Sequence, residues 1–149
     1  MRFVVDAMLG RLARWLRVVG IDTLYAAGLD DHALVELCNT QGRVLLTKDV
    51  ALLRENKVEG YLVRSRTWQD QLLEVIDEFH LRAHIKPFSR CLNCNEVLVE
   101  VSKQDVVNCI PPFVLQNQHQ FFRCHGCQRV YWNGSHTDRM AATLSKIIG

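Results

Sequence analysis

The sequence predicts an α/β fold, in which a parallel β-sheet flanked by helices precedes a small β-rich module. Three observations predict it. Short apolar runs alternate with helical patterns as far as residue 80, the order in which βαβ units build a parallel sheet. From residue 91 onward the pattern changes to short β-like runs with two CxxC pairs. The 149 residues, 48% of them hydrophobic, are enough for one compact domain and a small module.

The first eighty residues alternate four strands with four helices. Each predicted strand is a short apolar run, and each predicted helix repeats its apolar residues every three or four positions. Gly20 and Gly42 are placed to end the first two helices, and Thr67 to begin the last. In chain order, we predict a strand at 3–5, a helix at about 8–19, a strand at 23–25, a helix from residue 30 or 31 to about 42, a strand at 44–47, a helix at 50–55, a strand at 61–63 and a helix at 67–79.

We expect three segments along the chain: an α/β domain at residues 1–80, a linker at 81–89, and a module at 90–149. The linker contains Pro87, and the module contains both cysteine pairs and a break at two consecutive prolines. A short amphipathic helix at about 138–148 closes the chain.

The two cysteine pairs predict a structural zinc site. Cys91 and Cys94 form one CxxC knuckle, and Cys124 and Cys127 form the other. Two residues between thiolates let one tight turn aim both sulfur atoms at a single ion, and four thiolates complete a tetrahedral Zn²⁺ site. Disulfide or redox pairing is the alternative, which a reducing compartment disfavours.

Other cysteines and histidines have simpler interpretations. Cys38 and Cys109 are expected to be core side chains, because they stand beside apolar residues in the sequence. His119, His125 and His136 are alternative metal ligands in place of one thiolate, but four cysteines already suffice.

Acidic residues follow three of the predicted strands. Asp6 comes directly after the first strand, Asp30 and Asp31 follow the second, and Asp49 follows the third. Parallel strands end at one edge of a sheet, where ligands bind, so we expect these carboxylates to converge on a Mg²⁺ or Mn²⁺ site suited to phosphodiester hydrolysis. The alternative is that Asp49 and one of Asp30 and Asp31 only cap helices. Glu36 is the nearest candidate for a fourth acid.

Basic residues accompany this acidic edge. Arg11, Arg14 and Arg17 recur every three residues along the first helix, and Lys48 adjoins Asp49. Cations beside an acidic site are suited to hold the phosphates of a nucleic acid. A solvated helix face is the alternative explanation of the same pattern.

Aromatic residues of the module have two interpretations. We favour a role as the small core of the module, with stacking on nucleic-acid bases as the alternative. The residues concerned are Phe121, Phe122, Tyr131 and Trp132.

Composition and the remaining motifs exclude several classes of protein. The composition is not that of a disordered chain, a collagen-like fibre or a disulfide-stapled miniprotein. A net charge of +2 is too small to indicate a nucleic-acid partner by itself. The motifs GxGxxG, GxSxG, HExxH and the P-loop are absent. With no apparent secretory signal or apolar membrane span, we expect a cytoplasmic protein with reduced cysteines and no membrane contact.

Residues 3–17 resemble the signature of the Mut-seven C-terminal RNase domain family. Further matches are residues 30–31 and 45–49, the two CxxC pairs, and residues 131–136 with 139–140, so the resemblance covers nearly the whole chain. The family is described as a PIN-like nuclease domain fused to a zinc ribbon and is predicted to cleave RNA. The resemblance therefore implies a PIN-like parallel sheet with flanking helices, followed by a zinc ribbon.

The resemblance also implies roles for individual residues. Asp6, Asp31 and Asp49 match the family's metal-binding acids, with Asp30 as the neighbour of Asp31. Thr47 matches a residue with a supporting contact, and Thr137 stands where an aromatic residue is expected. Together with the basic residues above, the expected substrate-binding set is Arg11, Arg14, Thr47, Lys48, Ser135 and His136.

These expectations combine into one function with two alternatives. The main hypothesis is a metal-dependent ribonuclease that cleaves single-stranded or structured RNA internally. The resemblance also implies that the products carry a 5′-phosphate. The first alternative is a non-catalytic RNA-binding or adaptor module that uses the zinc ribbon and the basic helix. The second is a phosphatase for small phosphoesters in the same acidic crevice.

Overall fold

The structure, a computed structural model, describes residues 1–149 and contains two sheets, one parallel with four strands and one antiparallel with three. Short 3₁₀ turns at Ala7–Leu9 and Arg82–His84 complete the regular structure. In chain order the strands and helices are β1 (Phe3–Val5), α1 (Gly10–Val18), β2 (Thr23–Tyr25), α2 (Asp31–Gln41), β3 (Val44–Thr47), α3 (Val50–Glu55), β4 (Gly60–Leu62), α4 (Trp68–Glu78), β5 (Val99–Val101), α5 (Lys103–Val106), α6 (Pro112–Asn117), β6 (Phe121–Arg123), β7 (Val130–Tyr131) and α7 (Ser135–Ile148).

The parallel sheet has the strand order β2-β1-β3-β4. Its two central strands, β1 and β3, are buried along their whole length, which explains why they are continuous apolar runs in the sequence. The chain passes from β1 to β2 on one side and then returns across β1 to β3 on the other. The direction of strand addition therefore reverses between β1 and β3.

Helices cover both faces of this sheet. Successive residues of a strand point to opposite faces, and β1 shows this directly. Phe3 and Val5 pack into a core with α1 and α4, whereas Val4 packs into a second core with α2 and α3. The result is a three-layer α/β/α arrangement.

The predicted α/β class, with a small β-rich module after the parallel sheet, is confirmed. The predicted elements of the first eighty residues are all present, with ends that differ by a few residues at most. The strand predicted at 61–63 begins at Gly60 instead. A Cβ atom at Gly60 would lie 2.3 Å from the Cδ2 methyl of Leu53 in α3 and 3.1 Å from the carbonyl oxygen of Leu45, so a larger residue there would require the Leu53 side chain to move.

The second sheet has the order β5-β6-β7, and both of its strand pairs are antiparallel. Val106, Ile110 and Phe121 form its small buried core. The long connection between β5 and β6 folds into α5 and α6, which the sequence did not predict, because helices this short carry little periodicity. Pro112 begins α6, a position where its missing amide hydrogen costs no hydrogen bond.

Three predictions about individual side chains are wrong. Cys109 is exposed rather than buried, whereas Cys38 is buried as expected. The helix predicted at about 8–19 begins at Gly10, so Met8 lies outside it and is 76% exposed. Arg17 was grouped with the exposed arginines of α1, but its side chain is buried.

The segment at 81–89 packs closely against the end of α1. The amides of Lys86 and Phe88 donate to the carbonyl groups of Val19 and Val18 at 2.9 and 2.8 Å. Gly20 has a φ of +91°, and a Cβ atom there would lie 2.4 Å from the carbonyl oxygen of Lys86. Glycine is therefore required at position 20 both by its conformation and by this close approach.

Polar side chains join the parallel sheet to the first cysteine knuckle. The carboxylate of Asp22 accepts hydrogen bonds from Arg43 at 2.8 Å and from Asn95 at 2.7 Å. Asn95 in turn accepts from the amide of Thr23 at 2.9 Å. Burial raises the pKa of Asp22, but the hydrogen bonds from Arg43 and Asn95 outweigh burial and hold its pKa below the ordinary value of 3.8.

Arg17 forms a second connection to the same knuckle. Its buried guanidinium donates to the carbonyl of Thr23 at 2.8 Å and to those of Leu92 and Asn93 at 3.0 and 3.3 Å. Burial lowers the pKa of Arg17, although the nearby Cys91 and Cys94 oppose this effect. The first knuckle is thus held against α1 and the start of β2.

The last helix, α7, packs on the core between the parallel sheet, α1 and α4. Met140 and Leu144 lie in the core that also contains α1 and α4. The helix begins at Ser135, three residues before the predicted start. The division into 1–80, 81–89 and 90–149 stays a prediction. No helix has the length and apolar composition needed to cross a membrane.

We predict that Asp22→Asn lowers the free energy of unfolding by about 1–3 kcal/mol at neutral pH, because a charge-assisted hydrogen-bond acceptor is lost. A carboxylate whose folded-state pKa is lowered stabilises the fold above its ordinary pKa, and this contribution disappears as the pH falls through the folded-state pKa. The free energy of unfolding, measured with urea at neutral pH and below pH 3.8, should therefore change less with pH in the variant than in the unchanged protein.

Asp77→Asn is the matched control. Asp77 pairs with Arg82, and both side chains are 55% exposed, so its removal is expected to cost less than about 1 kcal/mol. Equal losses of stability in the two variants would contradict the assignment of a structural role to Asp22.

Candidate active site and metal centre

The strand order reverses between β1 and β3, next to the carboxyl ends of both strands. Ligands bind at such a point in open parallel sheets, because the loops that leave the two strands diverge to opposite sides. Asp6 directly follows β1, and Asp49 lies two residues after β3. Asp30 and Asp31 lie beyond the end of β2, the neighbour of β1. The predicted acids therefore follow three adjacent strands at one edge of the sheet.

Thr47 connects Asp6 to Asp49. It is the last residue of β3 and is fully buried. Its hydroxyl donates to Oδ2 of Asp6 at 2.7 Å and accepts from the amide of Asp49 at 3.0 Å. The amide of Asp6 also donates to the carbonyl of Leu46 at 3.0 Å. One buried hydroxyl thus positions both acidic residues.

The four aspartates differ in whether their carboxylates cap a helix. Asp49 caps α3 by accepting an amide of its first turn at 3.1 Å, and Asp30 caps α2 in the same way at 2.8 Å. Asp6 makes no capping hydrogen bond, and Asp31 is an exposed residue in the first turn of α2. The capping interpretation therefore holds for Asp30 and Asp49 but not for Asp6.

No basic side chain forms a salt bridge with Asp6, Asp31 or Asp49. Their oxygen atoms also do not all lie within 4.8 Å of one another, as the sulfur atoms of the four knuckle cysteines do. The salt bridges of the structure lie elsewhere: His32–Glu36, Arg43–Asp22 and Arg82–Asp77.

The basic residues near this edge have different environments. The guanidinium of Arg11 lies 5.5 Å from the centre of the Trp68 ring, a cation–π distance, and Trp68 stacks on Trp15 with 4.5 Å between ring centres. Arg14 is exposed and forms no salt bridge. The ammonium group of Lys48 donates a hydrogen bond to the backbone carbonyl of Ser65 at 2.8 Å.

Ser135 and His136 do not lie at the aspartates. They begin α7, are exposed, and line a cleft of about 580 Å³ that Arg14 also lines. None of the four aspartates lines this cleft. The expected substrate-binding residues therefore divide between the acidic edge and a separate cleft.

Exposed apolar residues, which the sequence did not predict, stand next to the aspartates in the chain. Met8, Leu29 and Val50 are 76%, 44% and 55% exposed, although each stands within two residues of one of the aspartates. Tyr25, at the end of β2, is 41% exposed, and its hydroxyl donates to the carbonyl of Ala7 at 2.6 Å. Their sequence positions next to the acids were the available signal.

The four knuckle cysteines come together as predicted. Their sulfur atoms all lie within 4.8 Å of one another, and none takes part in a disulfide. The shortest approaches join one knuckle to the other: Cys91 to Cys127 at 3.6 Å and Cys94 to Cys124 at 3.0 Å. The cluster is therefore able to hold one metal ion with four sulfur ligands.

The two knuckles share the same backbone pattern. In each, the residue after the second cysteine has a positive φ, +74° at Asn95 and +64° at Gln128. Each of these residues donates its amide to the carbonyl of the first cysteine, at 2.9 Å and 2.7 Å. A Cβ atom at Gly126 would lie 3.1 Å from the carboxyl carbon of Glu96 and 3.2 Å from the sulfur of Cys94, so glycine avoids a tight contact at this point of the second knuckle.

Tyr131 supports the cluster, a contact that the sequence did not predict. Its hydroxyl lies 3.0 Å from the sulfur of Cys91 and accepts from the amide of Leu92 at 3.2 Å. Burial raises the pKa of Cys91, but the hydroxyl of Tyr131 and the amides of Cys94 and Asn93 outweigh burial and lower its pKa from 9.0 to about 6. The surroundings of Cys91 therefore favour its thiolate, the form of cysteine that binds metals. At Cys94, by contrast, burial and the hydrogen bond with Cys124 raise the pKa to about 12.

Comparisons with known proteins identify the family of the chain. The family model described as Mut7-C RNAse domain matches residues 1–144. The chain is 35% identical over 101 residues, 63% of its length, to the "Exonuclease mut-7 homolog" of Homo sapiens. It covers 12% of that relative, so the similarity concerns a small part of a longer protein. No solved structure matches the chain significantly.

The family match includes both the acidic edge of the parallel sheet and the four-cysteine cluster. It confirms the family that the sequence motifs indicated, and the chain belongs to the Mut7-C RNAse domain family.

Proposed function

We propose that the chain is a metal-dependent ribonuclease that cleaves RNA internally at the acidic edge of its parallel sheet. Membership of the Mut7-C RNAse domain family supports a nuclease-type function. The observation that carries the proposal is the arrangement of Asp6 and Asp49 around the buried hydroxyl of Thr47, at the point where the strand order reverses. Neither carboxylate is neutralised by a salt bridge.

Asp6, Asp31 and Asp49 are the residues that would hold Mg²⁺ or Mn²⁺, with Asp30 as the alternative to Asp31. The donor set fits these ions, because hard divalent cations prefer carboxylate oxygens. Thr47 occupies one oxygen of Asp6, and the α3 cap occupies one oxygen of Asp49, which leaves a second oxygen on each. A bound ion of this kind stabilises charge on phosphoryl oxygens and lowers the pKa of water.

The protein's own side chains position the substrate. Arg11 and Arg14 are exposed on α1, which begins close to Asp6, and they are placed to bind phosphates on the approach to the acidic edge. Thr47 and Lys48 act beside Asp49, and Ser135 and His136 act in the separate cleft. We assign the chemistry to residues 1–80 and the metal-built module to 90–149, joined by 81–89.

We further propose that the four-cysteine cluster holds a structural Zn²⁺ ion. Four sulfur donors match the preference of zinc, and a site closed by four protein ligands has no open position for catalysis. The shared knuckle pattern and the contact from Tyr131 support this assignment.

A non-catalytic RNA-binding module is the second candidate. It is favoured by the capping roles of Asp30 and Asp49 and by the separation of the three acids beyond common ligand distance. In this case, α1 and the second sheet bind RNA, and the aspartates only stabilise helix ends.

The first prediction concerns cleavage. The purified chain with Mn²⁺ is expected to cut a labelled single-stranded RNA, and Asp6→Asn and Asp49→Asn are each expected to slow cleavage by about 100-fold or more, the scale set by loss of one charge-stabilising group. Gel analysis of the products measures the rate, and readdition of Mn²⁺ after chelation should restore it. The matched control is Asp77→Asn, which removes an acid that pairs only with Arg82.

The same assay separates the competing functions. RNA binding without cleavage, unchanged by either aspartate substitution, would establish the non-catalytic module. Turnover of a small phosphoester without cleavage of RNA would instead identify a phosphatase.

The second prediction tests the positioning role of Thr47. Thr47→Val removes the hydroxyl but keeps the shape of the side chain, so we expect the fold to persist and activity or Mn²⁺ affinity to fall about 10- to 100-fold. Thr47→Ser retains the hydroxyl and should restore most of the loss. A Mn²⁺ titration of the cleavage rate provides the measurement, and equal behaviour of the two variants would contradict the role.

The third prediction concerns zinc. Cys94→Ser is expected to abolish zinc binding and unfold the module, because zinc contributes about 10–16 kcal/mol of folding free energy to small sites at neutral pH. Elemental analysis measures the zinc, and amide hydrogen exchange measures the structure. Cys109→Ser, at an exposed cysteine outside the cluster, should change neither. Loss of zinc with an unaltered module would contradict a structural role for the ion.

A further inference from the structure

A second concave surface lies away from the acidic edge. It is the cleft of about 580 Å³ introduced above, bounded by α1, the segment before the first knuckle, the second sheet and the start of α7. Its volume falls in the size range of ligand sites, about 300–1,000 Å³. Neither the aspartates nor the cysteine sulfur atoms account for it.

The charged side chains of the cleft are all arginines. Arg14, Arg90 and Arg129 line it, and no aspartate or glutamate does. Arg90 is committed to the fold, since it donates to the carbonyls of Gly20 and Asn95. Arg14 and Arg129 are exposed and form no salt bridge. Two guanidinium groups are therefore available for an anionic ligand, which phosphate groups match in geometry.

Aromatic side chains lie in the same cleft. Trp132 is half-buried: it packs against the small core of the second sheet and also contributes to the cleft lining. Phe122 is likewise half-buried and lines the cleft. Basic side chains beside aromatic rings are the combination that binds single-stranded nucleic acid, because bases stack on the rings while the cations hold the phosphates.

Helix α1 connects the cleft to the acidic edge. Arg14, on the cleft, lies three residues after Arg11, and the helix begins four residues after Asp6. Three residues correspond to about 4.5 Å along a helix axis. A single nucleic-acid strand that follows the exposed side of α1 would therefore pass from the cleft to the aspartates.

We propose that this cleft binds a nucleotide segment of single-stranded RNA outside the phosphodiester that is cleaved. Arg14 and Arg129 hold its phosphates, and Trp132 stacks on a base. The proposal deepens the proposed function and rests on it, since it takes RNA as the substrate. It adds Arg129 and Trp132 to the substrate contacts and defines where the strand lies beyond the acidic edge.

The test measures binding separately from cleavage. Fluorescence anisotropy gives the Kd for a single-stranded RNA of about 12 nucleotides, within the site sizes of such proteins, in an Asp6→Asn background without added Mn²⁺. Arg129→Gln is expected to weaken binding and to lower the slope of log K against log salt by about one. Trp132→Leu is expected to raise Kd about 5- to 150-fold, whereas Trp132→Phe should retain most of the affinity, because it keeps an aromatic face.

Two controls keep the result interpretable. Arg54→Ala removes an exposed arginine outside the cleft and should leave Kd unchanged. Trp132→Leu and Trp132→Phe both preserve apolar packing, and zinc content together with circular dichroism verifies that each variant is folded.

Each outcome of these binding measurements either supports the proposed RNA-binding cleft or contradicts it. Weaker RNA binding in the cleft variants, with unchanged binding in Arg54→Ala, supports the proposal. It does so even if neither the unchanged protein nor any variant cleaves RNA, because absence of cleavage contradicts only the proposed catalysis. Unchanged Kd in the folded cleft variants, or no RNA binding by any chain, overturns it. A change in oligomeric mass in the cleft variants with RNA affinity intact also overturns it and assigns the cleft to a second copy of the chain.

Discussion

Helices cover both faces of the parallel sheet, and this constraint governs where polar chemistry can occur. A strand buried on both sides has no solvent-facing position, so β1 and β3 are apolar throughout except for Thr47, the last residue of β3. Functional polar groups can therefore appear only where the strands end. Asp6 and Asp49 stand at that boundary, where the strand order reverses between β1 and β3. The buried hydroxyl of Thr47 is tolerated because both its donor and acceptor capacity are used.

The opposite, amino end of the sheet serves a different purpose. There, Asp22 and Asn95 connect the sheet to the first cysteine knuckle, and Arg17 reaches the same knuckle from α1. The buried guanidinium of Arg17 lies beside Cys91 and Cys94, so its positive charge is placed to offset negative charge on the cysteine cluster. The second sheet and the cysteine cluster are thus anchored at the end of the parallel sheet away from the aspartates, while α7 returns to pack on the first core.

The geometry of α1 explains why its three arginines act differently. Each residue advances about 100° around a helix, so residues three apart are offset by about 60°. Arg11 and Arg14 remain on the exposed side, but a second step of three turns Arg17 into the buried side. A repeat of three that looks like one basic face in the sequence therefore divides into two exposed cations and one internal anchor. The exposed pair lies between the acidic edge and the basic cleft.

The sequence by itself determined the α/β class, the elements of the first eighty residues, the cysteine cluster and the family, because these depend on local periodicity, helix caps and motif spacing. It also located Asp6, Asp30 and Asp49 at strand and helix ends. Only the tertiary structure decided that Thr47 joins Asp6 to Asp49, that Tyr131 contacts Cys91, that Arg17 is buried and Cys109 exposed, and that a basic cleft forms beside α7. These features bring together residues far apart in the chain, and the distances between such residues depend on how the elements pack, which no local pattern encodes.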